Sequence, residues 1–404
     1  MTTSEHDGRA FARLKLYNFF SYGTIALVFA FFPLYFAEQG LTMIEIGMIL
    51  SAGPLVSLFA NPFWGYVSDR SRNVRRSIAV LLVGNVLVVQ FALQATSFAW
   101  IYAFMLLFFF FQSPMNSQGN SLILDAIEGT DRKFGSFRLW GSLGYSLVAL
   151  AAGPIVATAG VERLWIVYTA MMLLAIALTF GLPQGSGGGS ATASFSFAGY
   201  GRVFRNRTFS AFLLLGVLVA VPNFANTMFI SLYVQELGGS EVAVGAASFL
   251  SAFFEIFVFL ALDRFVRKEP RFIMTCLVGV CLLYVLRWTL MSLSTEPLHA
   301  LLIQTLHSIT FGAYYYLGTV FTAQTIPSEY RASGQAVFAI TWGGVSGIAA
   351  GAAGGWIYES WGAETMYRSS AVVAVVGAIG FALLRARMGR PAPSEPSPAS
   401  SSTS

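Results

Sequence analysis

The sequence predicts an all-α membrane protein: twelve transmembrane helices in two pseudo-symmetric six-helix halves, with both termini cytoplasmic. Three observations carry this. Of 404 residues, 56% are hydrophobic and only 11% charged, whereas roughly a quarter of a soluble domain is charged. Apolar runs long enough to cross a bilayer, about 20 residues each, recur twelve times with short breaks. Lysine and arginine then fall almost wholly on alternate breaks.

The spans are expected at 14–36, 43–66, 76–96, 98–127, 134–158, 164–182, 208–234, 242–262, 271–292, 298–323, 334–357 and 366–386. The segment before the first is short and polar, and the first run is long enough to span, so no cleavable signal peptide is expected. Cys276 and Cys281 both fall in the ninth span, which implies no disulfide framework; they read as small packing residues. With the N-terminus inside, that side holds Arg9, Arg13 and Lys15, then Arg70, Arg72, Arg75 and Arg76, then Arg132 and Lys133. It also holds Arg202, Arg205 and Arg207, then Arg264, Arg267, Lys268 and Arg271, then Arg331, and last Arg385, Arg387 and Arg390. The opposite side holds Arg163 and Arg368. This asymmetry orients the chain and requires an even number of spans. The net charge of +5 is therefore orientation, and no nucleic-acid partner is implied.

The domain plan is an N-terminal half over 1–182, a cytoplasmic linker over 183–207, a C-terminal half over 208–386 and a tail over 387–404. The linker contains "GSGGGSATAS", a flexible Gly/Ser run, and the tail "RPAPSEPSPASSSTS" is expected to be disordered. The halves echo each other. "DRSRNVRR" from Asp69 has its counterpart in "DRFVRK" from Asp263, and "DRKFGSF" before span five in "EYRASGQ" before span eleven. Two parallel six-helix repeats are the plan of a rocker-type secondary transporter, with its solute site near the midplane between them.

"GYVSDRSRNVRR" resembles the loop signature of the major facilitator superfamily. Gly65, Asp69 and Arg70 are the matching positions of this conformational loop, and Arg72 stands where the signature has a second glycine. The motif implies a tight turn and an Asp69 that caps or pairs with a helix end. "FFPLYF" (Phe31–Phe36), "LDA" (Leu124–Ala126) and "FGSFRLWGSLGY" (Phe134–Tyr145) are similar to the group of lactose, oligosaccharide, nucleoside and phenylpropionate permeases. That resemblance implies that Arg138 contacts substrate, that Tyr145 stacks on it, and that Asp125 is the acidic partner of Arg138. "LRW" followed by "QTLH" keeps the spacing of the group's charged pair, here Arg287 and His307. Gln304 stands at the group's lysine and Thr310 at its proton-carrying carboxylate.

The residues also speak for themselves. A lone arginine in hydrocarbon costs about 2.5–3.5 kcal/mol on insertion scales. Asp125 and Arg138 lie equally far from the turn between their helices, hence at equal depth, which allows them to pair. Arg287 and His307 lie symmetrically about Pro297, about 15 Å from it along each helix, near the midplane. Glu255 is the remaining deep acid and the expected proton carrier, loading in an apolar cleft and unloading as Arg287 approaches. A fixed Glu255–Arg287 pair and a structural Asp125–Arg138 pair are the alternatives. Asn116 and Asn120, with Gln118, put amides inside span four, either lining a cavity or bonding between helices. Gly343, Gly347, Gly351 and Gly355 form one stripe that permits close helix contact.

The expected function is a proton-coupled symporter taking up a sugar, nucleoside or aromatic carboxylate. Asp125, Arg138, Tyr145, Asn116 and Asn120 would bind substrate; Glu255, Arg287 and His307 would couple the proton. A monomer in the inner (plasma) membrane of a prokaryote is expected, with solute, protons and lipid as its partners. There is no phosphate loop, metal cluster or nucleophile triad, so no cofactor, metal or enzyme activity is expected. One rival is an exporter working by proton antiport, for which Gly153–Pro154 is a partial signature. The other is a receptor that has lost transport, suggested by Thr310.

Overall fold

The structure is a computed structural model that describes residues 3–185, 197–267 and 269–388. Most of the Gly/Ser run, Lys268 and the tail beyond 388 lie outside the described residues, and so do the expectations placed on them. All regular structure among the described residues is helical.

The first half comprises α1 (Thr3–Glu38), α2 (Met43–Ser71), α3 (Val74–Ala92), α4 (Phe98–Ile127), α5 (Phe134–Ala159) and α6 (Leu164–Thr179). A short helix α7 (Phe197–Arg205) follows. The second half comprises α8 (Arg207–Glu236), α9 (Glu241–Phe253), α10 (Glu255–Phe265), α11 (Pro270–Ser292), α12 (Pro297–Thr325), α13 (Arg331–Ala339) and α14 (Ser346–Arg387), with a π-helical turn at Ile340–Val345 between the last two. Ten helices among the described residues are long and apolar enough to cross a membrane.

Every predicted span falls on helix to within four residues at its ends. Spans eleven and twelve meet at Gly362 (φ 82°, ψ 166°), a non-helical break that divides the α14 stretch into two helices. Three features differ from the expected plan. Span eight is interrupted at Phe254, between α9 and α10. The helix α12 is not among the ten apolar ones, because Gln304, His307 and three consecutive tyrosines dilute its apolar run. Finally, α7 occupies part of what reads as linker.

Helix ends follow local chemistry. Thr42 and Glu45 form a reciprocal capping box at the start of α2, satisfying donors that the first turn leaves open. The Oδ1 of Asn73 accepts from the Arg76 N–H at 3.0 Å, and that of Asn206 from the Phe209 N–H at 3.1 Å. At the other end of α2, Arg72 adopts φ 48° and its N–H donates to the carbonyl of Asp69 at 3.3 Å. The position where the loop signature has glycine is thus left-handed, a conformation glycine adopts without penalty.

Within the first half α1 packs on α5 and α3 on α4; within the second, α14 packs on both α8 and α11. The halves meet through α2 against α14 and α5 against α9. Glycine makes this approach possible. A Cβ on Gly47 or Gly351 would run into the other residue's carbonyl oxygen, and one on Gly355 would lie 2.6 Å from the carbonyl oxygen of Met43. A Cβ on Gly153 would lie 2.8 Å from the carbonyl oxygen of Glu241. The predicted stripe therefore makes contact at Gly347, Gly351 and Gly355. Gly343 meets nothing within 4 Å, because it lies in the π-helical turn, whose wider winding takes it out of phase with the α-helical stripe.

Candidate functional site

A cavity of about 270 Å³ lies between the halves. Each wall is one stripe of a helix, because residues three, four or seven apart share a face. From the first half come Tyr22, Ile25 and Phe29 of α1, Asn116 of α4, and Arg138, Ser142 and Tyr145 of α5. From the second come Asn223, Phe224 and Thr227 of α8, Ser251, Ala252 and Glu255 around the α9–α10 break, and His307 and Phe311 of α12. A smaller space of about 40 Å³ shares Tyr145, Thr227, Ser251 and His307 and adds Asn226 and Gln304.

Arg138 is exposed to this space, and its guanidinium lies 4.3 Å over the ring of Tyr22. That cation–π contact holds the planar head while leaving its N–H edges turned outward. Glu255 lines the same cavity from the other half and lies within electrostatic reach of Arg138; its Cγ would be 3.5 Å from a Cβ on Gly312. The carboxylate thus faces Arg138 across the cavity, whereas Arg287, expected to approach it, is engaged elsewhere in this conformation. Depth arguments compare neighbouring helices and do not see across to the other half.

Arg287 sits behind the wall, fully buried. Its Nη1 donates to Thr310 Oγ1 at 3.2 Å and Asn223 Oδ1 at 3.4 Å, and its Nη2 to Gln304 Oε1 at 3.0 Å and His307 Nδ1 at 3.0 Å. The guanidinium also lies 4.2 Å over the ring of Trp288. Thr310 and Gln304 depart from the permease pattern, and here both serve as neutral acceptors for this arginine. Around them Gln304 and Tyr367 donate to Asn226 Oδ1 at 3.3 and 3.2 Å, and Tyr284 donates to Asn223 Oδ1 at 3.3 Å.

The structure therefore brings Asn116, Arg138, Tyr145, Glu255 and His307 to one cavity. Asn116 Oδ1 is buried and has no hydrogen-bond partner among the described residues. Asn120 and Asp125, further along α4, do not line the cavity, nor does Arg287. Gly65, Asp69 and Arg70 lie in the last two turns of α2. Sequence reasoning missed Tyr22, Asn223 and Asn226. The two asparagines had a signal: amides three residues apart inside the apolar run "VPNFANTMF" have to find partners or a wet surface.

A multi-helix bundle parted by a polar cavity with a cation and an acid from opposite halves defines an integral multi-pass membrane transporter. Residues 11–369 match the MFS_1 like family, and the chain belongs to it. It is 25% identical over 374 residues to a maltose permease of Geobacillus stearothermophilus, covering 91% of this chain and 92% of that one. It is 28% identical over 307 residues to a probable 3-phenylpropionic acid transporter of Escherichia coli, covering 72% and 76%. The crystal structure of the nucleoside transporter NupG superposes with a TM-score of 0.79 at 16% identity, covering 93% of this chain and 98% of that one. These relatives are transporters, not enzymes.

Proposed function

We propose that this chain is a proton-coupled symporter that takes up a small polar organic solute by alternating access, with the two halves rocking about the cavity between them. The observation that carries the proposal is the placement of Arg138 and Glu255, from opposite halves, on one cavity of about 270 Å³. Ionisable side chains at membrane depth are expensive and mark solute or ion pathways. Arg138, Asn116, Ser142 and Tyr145 hold the solute, and Glu255 carries the proton. A solute oxygen that engages Arg138 removes the counter-charge of Glu255, so solute binding and proton loading favour each other.

The lining suits a sugar, a nucleoside or an aromatic carboxylate. Tyr22, Tyr145, Phe224 and Phe311 offer ring faces, while Arg138, Asn116, Asn223 and the hydroxyls of Thr227 and Ser251 offer partners for oxygen and nitrogen. Relatives whose names include maltose and 3-phenylpropionic acid fit this range. Asn120, one turn from Asn116 on the same face, extends the polar track along α4. The site is complete within one chain, which supports a monomer, and the relatives named are bacterial, which supports a prokaryotic inner membrane.

The test is transport in proteoliposomes with Glu255→Gln. Uptake against a gradient, driven by a proton gradient, should be lost while solute exchange at equilibrium persists. Accumulation equal to that of the wild type overturns the assignment, and solute outflow driven by inward protons would mark an exporter.

A further inference from the structure

We propose that the pocket beside α7 binds the phosphoryl headgroup of one anionic phospholipid. The pocket encloses about 390 Å³ and is walled by Arg202, Val203, Arg205 and Asn206 on one side and by Ile326, Pro327, Glu329 and Tyr330 on the other. It is separate from the solute cavity, and the orientation charges read from the sequence do not account for its shape.

Three features select the ligand. First, Arg202 and Arg205 are three residues apart on a helix, so their guanidinium groups share one side. Arg202 donates to the hydroxyl of Tyr330 and lies 5.3 Å over its ring, which aims the head group while using one of its five donors. Planar guanidinium pairs match phosphate oxygens in a two-pronged geometry that lysine does not provide.

Second, the depth is that of a lipid headgroup. Asn206 is the N-cap of α8, a helix long and apolar enough to cross a membrane, and Ile326 is the C-cap of the neighbouring α12, so the pocket stands where a membrane helix begins. Third, α7 is amphipathic: Val203 is buried against the bundle while the adjacent Phe204 is 53% exposed. An exposed phenylalanine between two arginines is the pattern of a helix lying in the membrane interface, with its ring among acyl chains and its charges at the phosphates. A free phosphate would use the arginines and leave Phe204 without a role.

The full-length protein in detergent tests this by native mass spectrometry and thermal unfolding with phosphatidylglycerol, phosphatidylcholine or inorganic phosphate. Phosphatidylglycerol should bind at one per protein and raise the unfolding temperature, whereas phosphatidylcholine and inorganic phosphate at equal concentration should not. The double variant R202Q/R205Q should weaken phosphatidylglycerol binding by about 10–100-fold, the loss of one or two charge-assisted contacts. Glu329→Gln removes the one acid on the pocket wall and should tighten binding; Phe204→Ser should weaken it. Undiminished binding by R202Q/R205Q, unchanged or weaker binding by Glu329→Gln, or equal stabilisation by inorganic phosphate overturns the proposal.

Discussion

Arg287 Nη2 stands 3.0 Å from Nδ1 of His307. Arginine donates and never accepts, so Nδ1 of the histidine is the acceptor and the ring proton resides on Nε2. His307 also stacks on Phe311 at 5.3 Å and 14°, which fixes the ring plane. The pair is therefore a positioned donor on the cavity wall, held from behind by a buried cation.

Arg287→Lys should test that arrangement. Lysine lacks the fork that reaches Thr310, Asn223, Gln304 and His307 together, and it loses the stack on Trp288. The variant should unfold with about 1–3 kcal/mol less stability, read by thermal denaturation in detergent. In ¹⁵N spectra the Nε2–H tautomer of His307 should dominate in the wild type and lose that dominance in the variant.

Arg138→Ala should lower solute affinity by about 10–100-fold, the range for losing one charge-assisted hydrogen bond, with little change in unfolding temperature. The guanidinium is exposed to the cavity, and the Glu255 carboxylate it leaves behind lines the same open space. Calorimetric titration with the transported solute supplies the measurement. Tyr22→Leu removes only the ring beneath Arg138 and should weaken binding far less, by about 0.5–1 kcal/mol.

Arg72→Gly should stabilise the protein. Arg72 is the one non-glycine residue with positive φ among the described residues, and the left-handed region costs a side-chain-bearing residue about 1–2 kcal/mol. Part of that gain is offset by the greater freedom of glycine in the unfolded chain. A rise in unfolding temperature is expected; a fall would mean that the arginine side chain contributes more than its backbone costs.

How much of this was legible in the sequence follows from the physics of each feature. Span positions and orientation charges are one-dimensional patterns, since a bilayer requires about 20 apolar residues per crossing, and Thr42 with Glu45 is a local capping signal. The left-handed turn was visible as the glycine missing at Arg72. The cavity faces of α4, α5 and α12 followed from Asn116, Arg138, Tyr145 and His307. What stayed hidden was partner choice. Arg287 is satisfied by neutral oxygens from Asn223, Gln304 and Thr310, which sequence spacing does not rank above a carboxylate. The interruption at Phe254 has no glycine or proline to announce it, and α7 was concealed because its arginines also serve as orientation charges.

Gly351→Val should wedge apart the α2–α14 contact, since extra methyl groups in a closed interface cost about 1–3 kcal/mol. With Cys276 and Cys281 replaced by serine, Thr227→Cys provides a reporter on the cavity wall. A membrane-impermeant thiol reagent applied from the side that this contact closes should label the reporter several-fold faster in the Gly351→Val background. Equal labelling rates would show that this contact does not seal the cavity.

The interruption between α9 and α10 has a mechanical meaning. The regular hydrogen-bond ladder lapses at Phe254, immediately before the acid that faces Arg138. A rod with a missing rung flexes there first. Glu255 follows directly on this lapse, so bending of the helix at Phe254 would carry its carboxylate relative to the opposite wall while α9 stays packed on α5.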